Sequence, residues 1–335
     1  MRVSGTSGRV GRRPARFAAR TARACGLGVA LALLGLLFAA PALAATPTVS
    51  TGTSGSVTFN SAVLFGTVNP RGSATVVYFQ YGTTISYGAQ TAPAQLPAGS
   101  SNVSLSIAAS GLAANTTYHY RVVASNASGT ALGADKTVKT ARIPLSLAIT
   151  AAPNPVPFGA PVTIEGTLSG TGSANAAVQL QANPFPYTAG FADVGNPELT
   201  LANGGFAFNV LGAAQNTEYR VASGTIASTD VVASVAVDVT LHTQAAGKRG
   251  HPAIRFSGVI APAEPSARIA FERLVGTKWV VLGGAIAHPN SVNGAVSFAS
   301  TVRVHSGGFF RALVLPVEGG HVSGYSGVAQ VRIHG

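Results

Sequence analysis

The stretch that decides the fold is LAANTTYHYRVVASN, residues 112–126. After a leucine and a short polar turn, Tyr118, Tyr120, Val122 and Ala124 occupy every second position. Successive side chains of a strand point to opposite faces of a sheet, so this alternation predicts a half-buried strand entered from a loop. The tyrosine after the turn stands where β-sandwich domains place a tyrosine corner, whose hydroxyl bonds back to the backbone just upstream. The stretch therefore predicts a β-sandwich with Tyr118 at a corner.

Strands of the same kind surround this stretch. Alternating residues at 62–68, 75–81 and 103–107 are separated by turn residues, and 136–140 completes the series. Short strands at this spacing are typical of an all-β sandwich. We expect its core and corner to contain the following side chains: Leu64, Phe79, Leu105, Leu112, Tyr118, Tyr120 and Val122.

Three segments of this region carry a family resemblance. GTVNP (66–70), YFQYGTT (78–84) and TYHYRV (117–122) together resemble the fibronectin type III domain in an exported bacterial form. The resemblance implies a fibronectin type III-like sandwich over residues 46–142. It implies no integrin-type binding, because Arg71-Gly72-Ser73 lies in a different loop from the Arg-Gly-Asp tripeptide of some animal members.

Residues 143–335 contain one order of features twice. Each copy has a strand with a central glycine, an apolar strand, a strand preceded by glycine, an aromatic-Arg strand and a valine-rich last strand. This repetition predicts two immunoglobulin-like sandwiches, 143–244 and 245–335, with linkers at 141–144 and 244–252. The alternative is one larger domain over both copies. The predicted fold class is all-β, with tandem immunoglobulin-like and fibronectin type III-like β-sandwiches and no long helix beyond the N-terminal segment.

The N-terminal segment, residues 1–45, has the pattern of a signal peptide. Seven arginines precede an apolar run at 24–40, and Ala42-Leu43-Ala44 offers a cleavage site. This order predicts export. The alternative is an uncleaved membrane anchor, against which the run is short of the ~20 residues that a span needs.

The cysteine content and the charge distribution exclude further classes of protein. Cys25 is the only cysteine and precedes the apolar run, which argues against a disulfide scaffold and against lipid attachment. Residues 46–142 hold five bases and one acid, 143–244 one base and six acids, and 245–335 nine bases and three acids. The net charges of +4, −5 and +6 sum to a small excess without a basic run, which argues against nucleic-acid binding. The alternating signs favour contacts between neighbouring domains or molecules, within the reach that salt screening allows.

No catalytic set is evident in the sequence. Hydrolysis or group transfer needs a nucleophile with a base, or a metal, and no two histidines have metal-ligand spacing. The loops 305–308 and 324–327 lack the G-x-S-x-G form, so turns are the favoured interpretation. Four carboxylates of the second segment can be considered as Ca²⁺ ligands, but their spacing matches no known loop and favours solvated positions: Asp193, Glu198, Asp230 and Asp238. We therefore predict no enzyme, no catalytic, cofactor-binding or metal residue, and no cofactor. The seven histidines are His119, His242, His251, His288, His305, His321 and His334.

Trp279 is the one tryptophan and follows a turn at the start of a strand. Core or half-core packing is favoured, because large aromatic side chains dominate sandwich interiors. Stacking on a sugar or a partner is the alternative.

These observations predict a non-enzymatic exported binding, adhesion or spacer protein of the cell envelope. The alternative function is an accessory, non-catalytic component of a secreted carbohydrate-active enzyme system. A third possibility is assembly through edge strands, which can pair with a partner's strand. The expected partner is an unknown protein or a cell-wall polymer. We expect no nucleic acid and, after signal cleavage, no membrane span or anchor, so that the protein is secreted or held at the surface by its basic third segment.

Overall fold

The computed structural model describes residues 45–248, 250–290 and 295–333, and these contain strands and turns without a helix. They also contain no helix that could span a membrane. The all-β prediction is confirmed. The predicted cleavage site, the apolar run, Cys25 and His334 lie outside the described residues.

Residues 48–139 form the first sandwich. One sheet has the order β1–β2–β6, and the other centres on β3 and β7, with β4 and β5 on one side and β8 and β9 on the other. Its strands are β1 (Thr48–Gly55), β2 (Ser61–Asn69), β3 (Thr75–Gly82), β4 (Ala89–Gln90), β5 (Ala94–Leu96), β6 (Val103–Ser110), β7 (Thr117–Asn126), β8 (Gly129–Leu132) and β9 (Lys136–Lys139).

The predicted core of this sandwich is confirmed. Six of the seven expected side chains are buried in one hydrophobic cluster, and the seventh, Tyr118, packs against it. The backbone N–H of Ala113 donates to the Tyr118 hydroxyl at 2.9 Å, which is the predicted tyrosine corner. Tyr120, two residues later on the same face, donates to the Gly52 carbonyl at 2.9 Å and so ties β7 to β1.

The second sandwich follows at residues 146–236. One sheet has the order β10–β12–β16, the other centres on β13 and β17, and β11 pairs with β20 in parallel. Its strands are β10 (Ser146–Ala152), β11 (Val156–Pro157), β12 (Val162–Ser169), β13 (Ala177–Pro184), β14 (Ala192–Asp193), β15 (Glu198–Leu199), β16 (Gly205–Val210), β17 (Thr217–Ser223), β18 (Ile226–Ala227), β19 (Val231–Ala233) and β20 (Val235–Ala236).

The third sandwich occupies residues 238–331. In one sheet β23 lies between β27 and the strands β21 and β22, and β26 borders β27. The other sheet has the order β25–β24–β28, with β29 and β30 beyond β28. Its strands are β21 (Asp238–Val239), β22 (His242–Lys248), β23 (His251–Ala261), β24 (Arg268–Val275), β25 (Lys278–Ile286), β26 (His288–Pro289), β27 (Val296–Arg303), β28 (Gly308–Leu315), β29 (Gly324–Tyr325) and β30 (Ala329–Val331).

The second and third sandwiches have separate cores that share one packing device. The central glycine predicted for both, Gly166 in β12 and Gly258 in β23, lies opposite a phenylalanine of the next strand. A Cβ on either glycine would approach the Phe206 or Phe298 ring to 2.7 or 2.6 Å. Glycine is therefore required where the ring of the neighbouring strand folds over the backbone.

The segment 244–252, predicted to be a linker, is instead part of a β-hairpin. β22 pairs with β23 from His242↔Ser257 to Lys248↔His251. The third core also takes in Val237 and Val239, which precede the predicted boundary at 244/245. The pattern was misleading because β22 is mostly exposed and carries small and polar residues, which resemble a loop in sequence.

Candidate binding surfaces

The residues considered for chemistry are dispersed or already engaged. The described part of the chain holds no cluster of three or more His, Cys, Asp or Glu side chains suited to a metal ion. Asp193 accepts a hydrogen bond from Gln181 at 2.8 Å, whereas Asp230 and Asp238 are exposed. Glu198 lies apart from these, in a groove described below.

The two serine-containing loops use their hydroxyls within the fold. Ser306 Oγ accepts from Arg273 Nη2 at 2.6 Å, and Ser326 Oγ accepts from the Ala312 N–H at 2.9 Å. Ser326 also donates to the Gly327 carbonyl at 2.8 Å. The turn interpretation fits 305–306, which form a bend, but it is wrong for 324–327, because Gly324–Tyr325 forms β29 and pairs with β28.

Two histidines form pairs that sequence reasoning did not find. His119 donates through Nδ1 to Asp135 Oδ2 at 2.8 Å in the first sandwich, and His321 Nδ1 lies 2.7 Å from Glu264 Oε1 in the third. The partners are 16 and 57 residues apart, so spacing along the chain gives no signal. The other described histidines are exposed: His242, His251, His288 and His305.

The first of these pairs belongs to a small exposed network. Tyr87 donates through its hydroxyl to Asp135 Oδ1 at 2.9 Å. The hydrogen bond from His119 holds the pKa of Asp135 below its usual value, with a smaller contribution from Tyr87. Burial and the neighbouring carboxylate raise the pKa of Tyr87.

A repeated arginine on the outer face of one sheet is the most regular polar feature of the three sandwiches. In each, an arginine Nε on the last long strand (β7, β17 or β28) donates to the side chain directly opposite on the neighbouring strand. The pairs are Arg121–Gln80 at 2.9 Å, Arg220–Gln181 at 2.8 Å and Arg311–Glu272 at 2.7 Å. The aromatic-Arg pattern of the sequence therefore marks equivalent positions in all three sandwiches.

Each of these guanidinium groups also lies over an aromatic ring. Arg121 lies 4.6 Å from the centroid of Tyr87 and Arg220 lies 4.1 Å from that of Phe191. Arg311 contacts both Trp279 at 4.3 Å and Tyr325 at 4.1 Å. Such contacts stabilise by roughly 0.5–1 kcal/mol at exposed sites and orient the groups involved.

Trp279 is half-buried, within the core or half-core packing that the sequence favoured. It stacks on Arg311 at the sheet surface and is not among the residues of the third core. Together with the exposed Tyr325, it gives the third sandwich an aromatic surface with a cation at its centre.

A groove of about 630 Å³ crosses one face of the second sandwich. Its lining includes Thr150, Thr167 and Ala207, and its charged side chains are Glu165 and Glu198. Leu199 and Leu201 also line the groove and are 60% and 64% exposed. A further cavity of about 510 Å³ lies on the other side of β16 and is lined by Leu180, Val194, Asn196, Phe208 and Leu211, among others.

The junction between the second and third sandwiches is extensively bonded. The Asn216 backbone N–H donates to the Gly320 carbonyl at 2.8 Å, and its side chain donates to the Gly319 carbonyl at 2.9 Å. The same side chain accepts from the Val235 N–H at 2.7 Å. His321 contacts the Ala214 carbonyl through Nε2 at 2.8 Å while Nδ1 contacts Glu264.

Comparison with known proteins gives similar folds without a family. No protein-family model matches the chain, and no curated protein matches it. The structure is similar to domains A168-A170 from titin, with a TM-score of 0.39 and 13% identity over 86% of this chain and 99% of that chain. It is also similar to a tetra-tandem repeat in the extending region of a large adhesion protein, with a TM-score of 0.27 and 14% identity over 86% of this chain and 74% of that chain.

Proposed function

We propose that this chain is an exported bacterial spacer and binding protein of the cell envelope, without catalytic activity. The observation that carries the proposal is the bonded junction at Asn216 and His321, which fixes one sandwich to the next. Tandem sandwiches joined in this way hold their outer faces at a set separation, which is the physical requirement for a spacer. The signal-peptide pattern of residues 1–45 supports export.

The binding part of the proposal rests on the surfaces. The arginine–aromatic stacks and the acidic groove each combine charged groups with apolar surface and are open to solvent. Surfaces of this mixed character suit the binding of a partner. In the first and second sandwiches the arginine is bonded to a neutral glutamine, so its charge remains available to anionic polymers.

Fractionation of a bacterial culture that expresses the full chain tests export. We expect the product in the medium or in a salt wash, with an N-terminus at Ala45 or Thr46. A full-length product that requires detergent would contradict export. A panel of glycoside, peptide and ester substrates given to the purified protein tests the absence of catalysis, and robust turnover would contradict it.

The aromatic surface of the third sandwich supports the accessory role as a second candidate. Trp279 and Tyr325 flank Arg311 on an exposed sheet face, and aromatic rings can stack on sugar rings. Pull-down with insoluble cellulose, chitin and peptidoglycan tests this role. Retention that Trp279→Ala abolishes would favour it over a protein partner, and no retention on any of the three would remove it.

A further inference from the structure

The second sandwich ends one of its sheets with a strand whose outer side is not paired with a further strand. The order β10–β12–β16 leaves β16 at the edge, and within residues 45–248 no strand pairs with its outer side. In the third sandwich the equivalent strand β27 is bordered by β26, through His288↔Ser297 and Pro289↔Val296. The third sandwich thus shows that this sheet geometry accepts a further strand, as in the four-stranded sheet of immunoglobulin constant domains.

The backbone groups on the open side of β16 can be identified. The Leu168 N–H donates to the Gly204 carbonyl, so Gly204 and every second residue after it face β12. The Leu201 N–H donates to the Gly205 carbonyl from the opposite side. The N–H and C=O groups of Ala207 and Asn209 therefore point outward, away from β12.

Space for side chains lies on both sides of this edge. The groove with Leu199 and Leu201 borders one face of β16, and the cavity lined by Val194 and Leu211 borders the other. A strand added beside β16 would send alternate side chains toward the two spaces. Glu165 and Glu198 in the groove favour an occupant that carries positive charge.

Charge and exposure favour an occupant from the third sandwich of another copy. Pairing of β16 with a second β16 would bring the same carboxylates together, which is unfavourable. β25 is an edge strand of nine residues that begins with Lys278, in a segment of net charge +6. Its exposed side chains include Val280, Val281 and Ile286, and the apolar residues of the two spaces can cover those that point to either side.

We propose that the open edge of β16 pairs with the β25 edge of a second copy of this chain, so that copies associate head to tail. The contact joins two different surfaces and does not close on itself after two copies, unlike a two-fold dimer. This inference goes beyond the proposed function, because a monomeric protein can also act as a spacer.

Sedimentation velocity of the purified protein over a concentration series tests the proposal. We expect the sedimentation coefficient to rise with concentration and the association to weaken in high salt, since the attracting segments carry −5 and +6. Ala207→Pro removes an outward N–H without breaking the β12–β16 ladder. Val281→Glu brings a negative charge to the acidic groove. Each variant alone should associate at least about tenfold more weakly, the equivalent of about 1.4 kcal/mol.

A mixture of the two variants gives the sharpest result. Ala207→Pro keeps an intact β25 and Val281→Glu keeps an intact β16, so the mixture should form a dimer and nothing larger. The matched control is Val328→Glu, because Val281 and Val328 are both 58% exposed in the same sandwich and Val328 lies beside β30. The control should associate like the natural protein. If Ala207→Pro does not fold, Glu165→Lys with Glu198→Lys tests the same surface.

Three outcomes would overturn the proposal. The natural protein could remain monomeric at all concentrations, in which case a foreign peptide becomes the candidate occupant. The variants could associate as strongly as the natural protein, or their mixture could stay monomeric. None of these results bears on export or on the absence of catalysis.

Discussion

The two junctions of the chain differ in construction. At the first, the linker residue Ala141 bonds back to Thr58 and Asn115 of the first sandwich, and Ile143 exchanges hydrogen bonds with Thr171 of the second. At the second, the turn at 319–322 bonds directly to Ala214, Asn216 and Val235 of the preceding sandwich. The first junction therefore connects two sandwiches through a short exposed segment, and the second brings their surfaces together.

The difference shows that a tandem array can combine a junction formed only by a short linker with a junction at which two sandwiches pack against each other. The first sandwich contains one histidine–carboxylate pair and the second junction another, and the exposure of these pairs differs. The His119 and Asp135 side chains are 28% and 36% exposed, whereas those of His321 and Glu264 are 13% and 7% exposed. The same chemistry should therefore contribute more to stability at the second junction.

The largest effect is expected for His321→Ala. It removes the contact with Ala214 and leaves the buried Glu264 carboxyl without its partner, at a cost of about 3 kcal/mol. Urea unfolding followed by the fluorescence of Trp279 measures the loss. His305→Ala, an exposed histidine of the same sandwich, is the control and should cost less than about 0.5 kcal/mol. Equal effects of the two variants would refute the packed junction.

Asn216→Ala should come next. The buried Val235 N–H loses its acceptor and the Gly319 carbonyl its donor, at a cost of about 2 kcal/mol. Hydrogen exchange at the Val235 amide should accelerate, and the variant should be cut more readily near 236–238 by a protease. Asn209→Ala, which removes an exposed hydrogen bond with Thr163 in the same sandwich, should leave both readouts unchanged.

Tyr118→Phe tests the first sandwich close to its junction. The corner hydrogen bond from the Ala113 N–H is lost. We expect the free energy of unfolding to fall by roughly 0.5–1.5 kcal/mol, which is typical of one intramolecular hydrogen bond. The Ala113 carbonyl also accepts from the Thr140 hydroxyl, so the substituted site lies next to the linker. Thermal melts should show a lower midpoint for the first sandwich alone. A shift in the second sandwich would mean that the first junction transmits stability.

The pH dependence of the first sandwich should be weaker still. The pKa of Asp135 is lowered chiefly by the hydrogen bond from His119, so its stabilising contribution is present above the ordinary carboxyl pKa of about 4. It is lost as the pH falls through the lowered value. Because both side chains are exposed, the contribution is about 0.5 kcal/mol at most. Asp135→Asn should remove this part of the acid dependence, and an unchanged profile would contradict the assignment.

The smallest effect is expected at the first junction itself. Insertion of Gly-Ser between Arg142 and Ile143 lengthens an exposed segment and leaves the bonds of Ala141 and Ile143 in place. We expect the free energy of unfolding of each neighbouring sandwich to stay within about 0.5 kcal/mol of its value in the natural protein. A larger loss would show that the two sandwiches depend on contact with each other.

The sequence predicted what periodicity and local turns determine. The alternation around Tyr118 and Tyr120 specified a core strand and its corner, because a strand must place every second side chain inward. The third sandwich was harder to delimit, since β22 is an exposed edge strand with small side chains. The pairs His119–Asp135 and His321–Glu264 and the groove beside β16 depend on the packing of distant strands, which no local pattern encodes.

The parallel pair of β11 and β20 has a mechanical consequence. The backbone N–H of Val156, near the start of the second sandwich, donates to the Ser234 carbonyl near its end, and the Phe158 N–H donates to the Ala236 carbonyl. If the chain is pulled at both ends, these two strands are drawn along each other in opposite directions, and their hydrogen bonds must break together instead of one by one. The strand pairs of the first sandwich, within residues 48–139, are all antiparallel. Under tension, the second sandwich should therefore stay folded to a higher force than the first.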